Sequence, residues 1–151
     1  MKKFELTNEF ITNMFGTKLF RIRALVEFGD VEAGELGGYV EKESNLGHDD
    51  NAWVYDNAWV YGNARVCGDA RVCGDARVCG NGDYAYAHGF GSVNRTTTFF
   101  RLKDGGVGVR CGCFYGTLAQ FRDKIRETHG ETKKAQEYLM LADLMKLRFE
   151  K

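Results

Sequence analysis

The sequence predicts a mainly β protein, in which a short stack of six-residue repeats lies between N-terminal strands and a C-terminal hairpin with two helices. Between Asn51 and Gly80 the chain repeats one pattern five times: Asn/Asp, Ala, Trp/Arg, Val, Tyr/Cys, Gly/Asp. Most of the 19 glycines lie between Gly29 and Gly116, whereas apolar residues at helical spacing follow Thr117. Such short-period repetition marks stacked architectures, in which each unit is stable only against its neighbours.

The N-terminal part of the chain, residues 1–38, is predicted to form strands that cap the stack. Lys3–Leu6 is a short candidate strand, and Leu19–Leu25 alternates apolar residues with Arg21 and Arg23, as a half-buried strand does. The glycine-rich stretch Gly29–Gly38 is predicted to be a run of turns that leads into the repeats.

Each repeat, within residues 39–92, is predicted to be a very short strand followed by a corner. The alanine and the valine are two positions apart and therefore face the same side of a strand, which we expect to be the interior. Asp56 or Gly, followed by Asn or Asp, tolerates the backbone of a tight corner. The residues between and after the apolar pair must point outward; they are Trp53, Tyr55, Trp59, Tyr61, Arg65, Cys67, Arg71, Cys73, Arg77 and Cys79.

The C-terminal part, residues 93–151, is predicted to be a β-hairpin and two helices. Thr96–Leu102 and Val107–Tyr115 flank Asp104–Gly106, a strong turn signal. A capping box at Thr117–Gln120 begins the first helix, which ends at His129-Gly130. The second helix is predicted from about Thr132 to Arg148. We expect both helices to pack on the hairpin and to close one end of the stack.

The repeats resemble the hexapeptide-repeat family, whose fold is a left-handed parallel β-helix. The flanking segments Arg21–Leu25, Gly29–Gly38 and Cys111–Gly130 extend the resemblance to small hexapeptide-repeat proteins carried by bacteriophages and prophages, which are often labelled transferase-like. The fold class implied is a short left-handed parallel β-helix with N-terminal strands and a C-terminal hairpin and two helices. The resemblance also implies a homo-oligomer, commonly a trimer.

Three repeats form one coil in that family, so each residue would stack on the residue 18 positions later. This register predicts side-chain columns on the outer surface: Trp53 with Arg71, Trp59 with Arg77, Tyr55 with Cys73, and Tyr61 with Cys79. Trp, Tyr and Arg are the residues enriched at binding hot spots. The predicted binding surface therefore consists of Trp53, Tyr55, Trp59, Tyr61, Arg65, Arg71 and Arg77.

Charge and cysteine content narrow the classes of partner. Lys plus Arg and Asp plus Glu both number 21, so net charge indicates neither a nucleic-acid nor a membrane partner. The five cysteines, an odd number, favour a reducing compartment, and the sequence lacks a signal peptide or membrane-spanning stretch. We expect the cytoplasm of a bacterial host cell. We expect no metal, since the cysteines of the repeat would lie on three different faces and could not converge on one ion. We also expect no cofactor.

The function predicted from these features is non-catalytic binding. A phage-type protein with an aromatic and cationic surface could inhibit a bacterial defence or regulatory protein. It could equally sequester a nucleotide-like signal in clefts between subunits, because Arg pairs with phosphate and aromatic rings stack on bases. The alternative is a hexapeptide-type acyltransferase with a histidine general base, for which His48 and His88 are the candidates. His129 is interpreted as a helix-terminal residue that suits the helix dipole.

Overall fold

The computed structural model describes residues 2–90, 95–112 and 114–150, which form eleven strands and two helices. The N-terminal strands are β1 (Phe4–Thr12), β2 (Lys18–Ala24) and β3 (Leu36–Val40), and the repeat strands are β4 (Trp53–Val54), β5 (Trp59–Val60), β6 (Arg71–Val72) and β7 (Arg77–Val78). The C-terminal elements are β8 (Tyr84–Phe90), β9 (Arg95–Arg101), β10 (Val107–Cys111), β11 (Phe114–Thr117), α1 (Leu118–His129) and α2 (Lys133–Phe149). None of the described helices is both long and apolar enough to span a membrane.

The strands form three sheets. A five-stranded mixed sheet has the order β1-β2-β3-β5-β7, in which β1, β2 and β3 are antiparallel and β3, β5 and β7 are parallel. A four-stranded sheet of order β11-β10-β9-β8 is antiparallel throughout. Strands β4 and β6 form a separate parallel pair.

The predicted fold class, a left-handed parallel β-helix, is wrong. The described residues form mixed and antiparallel sheets, and parallel pairing is confined to β3-β5-β7, to β4-β6 and to one bridge between Leu46 and Val66. Each repeat strand is only two residues long and so contributes few ladder hydrogen bonds. The longer antiparallel strands β1, β2, β8 and β9 provide most of the sheet instead, and two-residue or short turns suffice to connect such strands.

The predictions about the interior and register of the repeats are confirmed. Trp53 pairs with Arg71 and Trp59 with Arg77, both at an offset of 18 residues. Asp56, a corner residue, has a φ of +58°, in the left-handed region. The alanines and valines of the five repeats are all buried: Ala52, Val54, Ala58, Val60, Ala64, Val66, Ala70, Val72, Ala76 and Val78.

The predicted N-terminal and C-terminal elements are of the right type, but their boundaries differ from those predicted. The strand predicted from Val107 to Tyr115 is two antiparallel strands, β10 and β11, because the chain reverses at Gly112, whose φ is +60°. Strand β8 was not predicted, and β3 replaces the end of the predicted run of turns. The capping box is confirmed: Gln120 N–H donates to Thr117 Oγ1 over 3.2 Å, and Thr117 N–H donates to Gln120 Oε1 over 2.8 Å.

Two hydrophobic cores meet at β9. One core contains the alanines and valines of the repeats together with Phe4, Trp53 and Phe100. The other lies between the antiparallel sheet and the helices and contains Phe99 and Phe121. Because neighbouring residues of a strand face opposite sides, Phe99 and Phe100 belong to different cores, and both are fully buried. The helices therefore pack on the hairpin as predicted.

Candidate functional site

Part of the predicted aromatic and cationic surface forms as expected. The guanidinium carbon of Arg77 lies 3.8 Å from the centre of the Trp59 ring, and the Tyr61 ring packs edge-on against Trp59 at 6.4 Å. All three side chains are partly accessible to solvent. Trp59, Tyr61 and Arg77, here called the Trp59 face, are thus a preformed group of the residue types expected at a binding surface.

Trp53 does not reach the surface, so its predicted place on the exposed binding surface is wrong. Its side chain is fully buried between Phe4 and Phe28, whose ring centres lie 6.3 and 5.3 Å away. The cause is the N-terminal part of the chain, which covers this side of the repeats. The absence of a side chain at Gly37 gives the indole room, since a Cβ there would lie 2.8 Å from Trp53 Cζ2.

Arg71 and Tyr55 form a polar group of their own rather than continuing the Trp59 face. Asp30 accepts hydrogen bonds from Arg71 Nη1 at 3.2 Å and from Tyr55 Oη at 2.8 Å. The guanidinium of Arg110 lies 5.1 Å from the centre of the Tyr55 ring. Arg65 is exposed, and its backbone N–H donates to Asn81 Oδ1. The seven predicted binding residues therefore do not share one surface, and their role in binding stays a prediction.

His48 connects the N-terminal strand to the segment that precedes the first repeat. Its Nδ1 accepts the backbone N–H of Lys3 at 3.1 Å, and its ring stacks on Phe4 at 4.4 Å. Its Nε2 lies 3.4 Å from Glu43 Oε1. The buried Lys3 ammonium beside it donates to Asp50 and to the carbonyl of Ala52. Both ring nitrogens of His48 thus have structural partners, so neither is available to accept a proton from a substrate as a general base would.

A large cleft lies between the antiparallel sheet and α1. Its volume is about 580 Å³. It has an aromatic wall, a thiol, and three side chains that can carry positive charge, and none of the described residues that line it is acidic. The residues that line this cleft, here called the Arg95 cleft, are Arg95, Cys111, Phe114, Tyr115, Phe121, Lys124, Ile125, Thr128, His129 and Tyr138.

Helical spacing brings one side of the Arg95 cleft together. Phe121, Lys124, Ile125, Thr128 and His129 recur at intervals of three and four residues, so they share one face of α1. The apolar members of this face enter the core, whereas Lys124 and Thr128 are exposed beside the opening. His129 stacks on Tyr138 at 5.8 Å, so it contributes to the cleft in addition to ending the helix.

The polar floor of the Arg95 cleft is a chain of hydrogen bonds. Thr97 Oγ1 donates to Cys111 Sγ at 3.3 Å, and Cys111 Sγ lies 3.8 Å from Tyr138 Oη. Burial, followed by the neighbouring Cys111, raises the pKa of Tyr138, while the nearby charge of Arg95 opposes that rise. The floor therefore presents a neutral hydroxyl close to a guanidinium.

The side chain of Arg95 lies against the turn at Gly112. A Cβ at residue 112 would overlap Arg95 Nη1, so the guanidinium lies directly on the backbone of the turn. The positive φ of Gly112 independently favours glycine. One glycine thus allows both the reversal between β10 and β11 and the close approach of Arg95.

Arg95 also lines a second, smaller cleft of about 310 Å³. The residues around it, here called the His88 cleft, are Gly29, Asn51, Asp69, Arg71, His88, Arg95, Thr96 and Gly112. His88 Nδ1 is 2.7 Å from Thr96 Oγ1 and 4.0 Å from Asp69 Oδ2. Among the described residues that line the His88 cleft, none is aromatic apart from the imidazole of His88.

Sequence reasoning missed Arg95, Lys124 and Tyr138 as site residues. Two signals could have found part of the site: the glycine between Cys111 and Cys113, and the polar Lys124 and Thr128 on an otherwise apolar helix face. Cys113 itself lies outside the described residues. Within the described part of the chain, no three His, Cys, Asp or Glu side chains are grouped so that they could hold a metal ion.

No protein-family model matches this chain, and no curated protein matches it with significant similarity. The residues that line the site are therefore the basis for its proposed chemistry.

Proposed function

We propose that this protein is a non-catalytic binding protein of the phage type that its sequence resembles, and that it sequesters a small nucleotide-like anion in the Arg95 cleft. The observation that carries the proposal is the position of Arg95, whose guanidinium lies against the Gly112 turn at the edge of an aromatic cleft. A planar guanidinium binds phosphate through paired hydrogen bonds.

The lining of the Arg95 cleft matches both parts of a nucleotide. Phe114 offers a partly exposed ring on which a base can stack. Lys124 and His129 can add positive charge to that of Arg95, and no carboxylate among the described lining residues opposes an anion. A concave, largely apolar cleft with a few convergent polar groups is the usual form of a small-molecule site.

This proposal differs from the sequence-based prediction in the location of the site. The Arg95 cleft is formed within one chain, so ligand binding needs no cleft between subunits. In a bacterial cytoplasm such a protein would act by lowering the free concentration of a host signal. The homo-oligomer implied by the resemblance remains a separate prediction.

Isothermal titration calorimetry at low ionic strength tests the proposal. AMP and GMP should bind, whereas adenosine and guanosine should bind much more weakly because they lack the phosphate that Arg95 recognises. Arg95→Ala should raise the Kd of the nucleotide roughly tenfold or more, the loss expected for one charge-assisted contact. Lys42→Ala is the matched control, because Lys42 is an exposed cation outside the cleft. Equal Kd values for the two variants would contradict the proposal.

The second candidate function is inhibition of a bacterial defence or regulatory protein through the Trp59 face. The stacked arrangement of Trp59 and Arg77 supports it, because preformed aromatic and Arg groups lose little entropy on association. A host protein that copurifies with the native chain and with Arg95→Ala, but not with Trp59→Ala, would favour this function over nucleotide sequestration.

The acyltransferase alternative has less support. His48 uses both ring nitrogens in structural contacts, which leaves His88 as the remaining candidate base. Retention of ligand binding by His88→Ala, with no turnover by either protein, is the outcome expected of a binding protein.

A further inference from the structure

We infer that the hairpin between β1 and β2 attaches the protein to an anionic lipid surface, by inserting Met14 and Phe15 into the interfacial layer of the membrane. Both residues lie in the turn formed by residues 13–17, here called the hairpin tip. Attachment of this kind does not depend on a ligand in the Arg95 cleft. It would hold the protein at the membrane of the host cell.

The hairpin tip presents two large apolar side chains to solvent. Met14 is 89% exposed and Phe15 is 84% exposed, which are the highest values among the large hydrophobic residues of the described chain. Neither residue belongs to a hydrophobic core. Single exposed hydrophobic residues are common on protein surfaces, whereas adjacent ones at the end of a hairpin form a projecting apolar surface. Packing within the fold therefore does not explain these two side chains.

The turn fixes the place of both side chains. Gly16 N–H donates to the carbonyl of Asn13, and Asn13 N–H donates to the carbonyl of Thr17, each over 3.0 Å. Gly16 has a φ of +84°, the left-handed conformation that closes such a hairpin. Met14 and Phe15 are the central residues of the turn, where polar residues fit the backbone equally well. The hairpin thus ends in a preformed apolar pair.

The backbone of the hairpin tip is suited to a region with little water. Asn13 Oδ1 accepts the N–H of Phe15 at 2.9 Å and the N–H of Thr17 at 3.0 Å. Together with the bond from Gly16 to Asn13, these contacts give the N–H groups of residues 15–17 partners inside the turn. An unpaired N–H is costly in lipid, because no water replaces the missing hydrogen bond. The hairpin tip therefore leaves water at a lower cost than a turn without these bonds.

The charges near the hairpin tip favour an anionic surface. No acidic residue occurs from residue 10 to residue 20, which form the outer part of the hairpin. Glu9, the first carboxylate along β1 from the tip, is paired with Arg21 at 2.8 Å. Lys18, whose Nζ lies 4.8 Å from the centre of the Phe10 ring, places a positive charge beside the tip. Attraction to anionic lipid is local, so a net charge of zero for the whole chain does not oppose it.

The side chains of the hairpin tip differ in chemistry from those of the Trp59 face. Trp59, Tyr61 and Arg77 combine rings with hydrogen-bond donors, as the residues of specific protein interfaces do. Met14 and Phe15 have no side-chain donor, so they gain from burial without requiring a partner of defined geometry. A fluid lipid surface accepts such side chains without a matching pocket. Attachment through two side chains should be weak and reversible, as it is for a single acyl chain.

Flotation with phosphatidylcholine vesicles that contain about 30% phosphatidylglycerol tests the attachment. The native chain should float with the vesicles, and Met14→Ser combined with Phe15→Ser should lower the bound fraction at least about fivefold. Met140→Ser combined with Leu144→Ser is the matched control, because both residues are exposed and apolar but lie on α2. This control should stay within about twofold of the native chain. Both double variants should keep the native urea midpoint, since none of the four side chains is buried.

A Phe15→Trp variant reports insertion directly. Its fluorescence, after subtraction of the native spectrum, should shift to the blue with vesicles and be quenched by brominated lipid. A difference spectrum that vesicles leave unchanged overturns the inference.

The remaining outcomes are equally decisive. A native chain that does not float, or an equal loss from the two double variants, overturns the inference. Self-association without flotation, measured by sedimentation velocity and abolished by the substitutions at the tip, assigns the tip to a second copy of the chain and also overturns it. Nucleotide titrations report on the Arg95 cleft alone, so vesicle binding and the proposed function can fail separately.

Discussion

The guanidinium of Arg77 lies over the indole of Trp59, which precedes it by 18 residues, at 3.8 Å from the ring centre. The parallel pairing of β5 with β7 sets this distance, because it places the two residues directly opposite each other. The contact joins one repeat to another without adding a hydrogen bond. It also keeps a cation and a ring fixed on the outside of the molecule.

Loss of this stack should reduce stability by a small, measurable amount. Arg77→Ala should lower the free energy of unfolding by about 0.5–1 kcal/mol, the usual contribution of a partly exposed cation–π pair. Urea unfolding followed by circular dichroism provides the measurement. Arg65→Ala is the control, because Arg65 occupies the same position in its repeat and is exposed. A larger loss from Arg65→Ala than from Arg77→Ala would show that the stack does not stabilise the fold.

The two tryptophans should differ strongly in their contribution to stability. Trp53→Ala should cost about 3–5 kcal/mol, since it opens a cavity beside Phe4 and Phe28 in the core. Trp59→Ala should cost clearly less, because Trp59 is only partly buried. The same urea experiment compares them. Similar losses for both variants would contradict the burial of Trp53.

Substitution at Gly112 should impair ligand binding through Arg95. Gly112→Ala meets the guanidinium and must also adopt a positive φ, so we expect weaker nucleotide binding together with a modest loss of stability. Gly105→Ala is a matched control: Gly105 has a φ of +88° but open space around it. Calorimetry should show a Kd raised at least severalfold for Gly112→Ala only. An equal effect of both substitutions would mean that strain alone is responsible.

Cysteine reactivity should follow burial within the repeat. Burial raises the pKa of the Cys73 thiol to about 11, although the neighbouring Arg110 opposes that shift, whereas Cys79 is exposed. Because the thiolate is the reactive form, iodoacetamide at about pH 8 should alkylate Cys79 much faster than Cys73. Peptide-level mass spectrometry after short labelling times resolves the two sites. Urea should remove the difference, and its persistence in urea would point to a local sequence effect.

Alkaline pH should destabilise the fold. Burial raises the pKa of Tyr55, Tyr84 and Tyr138 above the ordinary 10.0, so the native state retains these protons at a pH where the unfolded chain releases them. Their contribution is complete below pH 10 and declines as the pH rises further. Lys3, whose pKa is lowered by burial, acts in the opposite direction, but only below its ordinary value of 10.5.

Urea midpoints measured from about pH 9 to pH 11 test this expectation. The midpoint should fall at the alkaline end, and it should fall less steeply for Tyr138→Phe, which lacks one of the three phenols. A midpoint that rises across this range would contradict the assignment of these tyrosines as buried and neutral.

Local sequence patterns predicted much of this structure, but they did not predict which distant strands pair with each other. The alternation of alanine and valine, the Asp104–Gly106 turn and the Thr117 capping box each depend on neighbouring residues, and each is confirmed. The fold class was wrong because it depends on which distant strands complete the sheets. Phe4 and Phe28 cover Trp53, and nothing in the repeat itself indicates that its outer side is covered.

Most residues of the candidate site could not be predicted from the sequence, for the same reason. Arg95 and Lys124 are ordinary surface cations until the chain reversal at Gly112 and the approach of α1 bring them to one cleft. His88 was predicted only as a candidate general base of the acyltransferase alternative, and its neighbour Thr96 could not be known before β8 and β9 were paired.

The adjacent phenylalanines on β9 have a consequence for the molecule as a whole. Phe99 and Phe100 belong to different hydrophobic cores and are joined by a single peptide bond, so β9 couples the unfolding of one core to that of the other. Heat should therefore denature the chain in one calorimetric peak. A ligand bound near the helices should therefore raise the unfolding temperature of the distant repeats as well, although it contacts none of their interior residues.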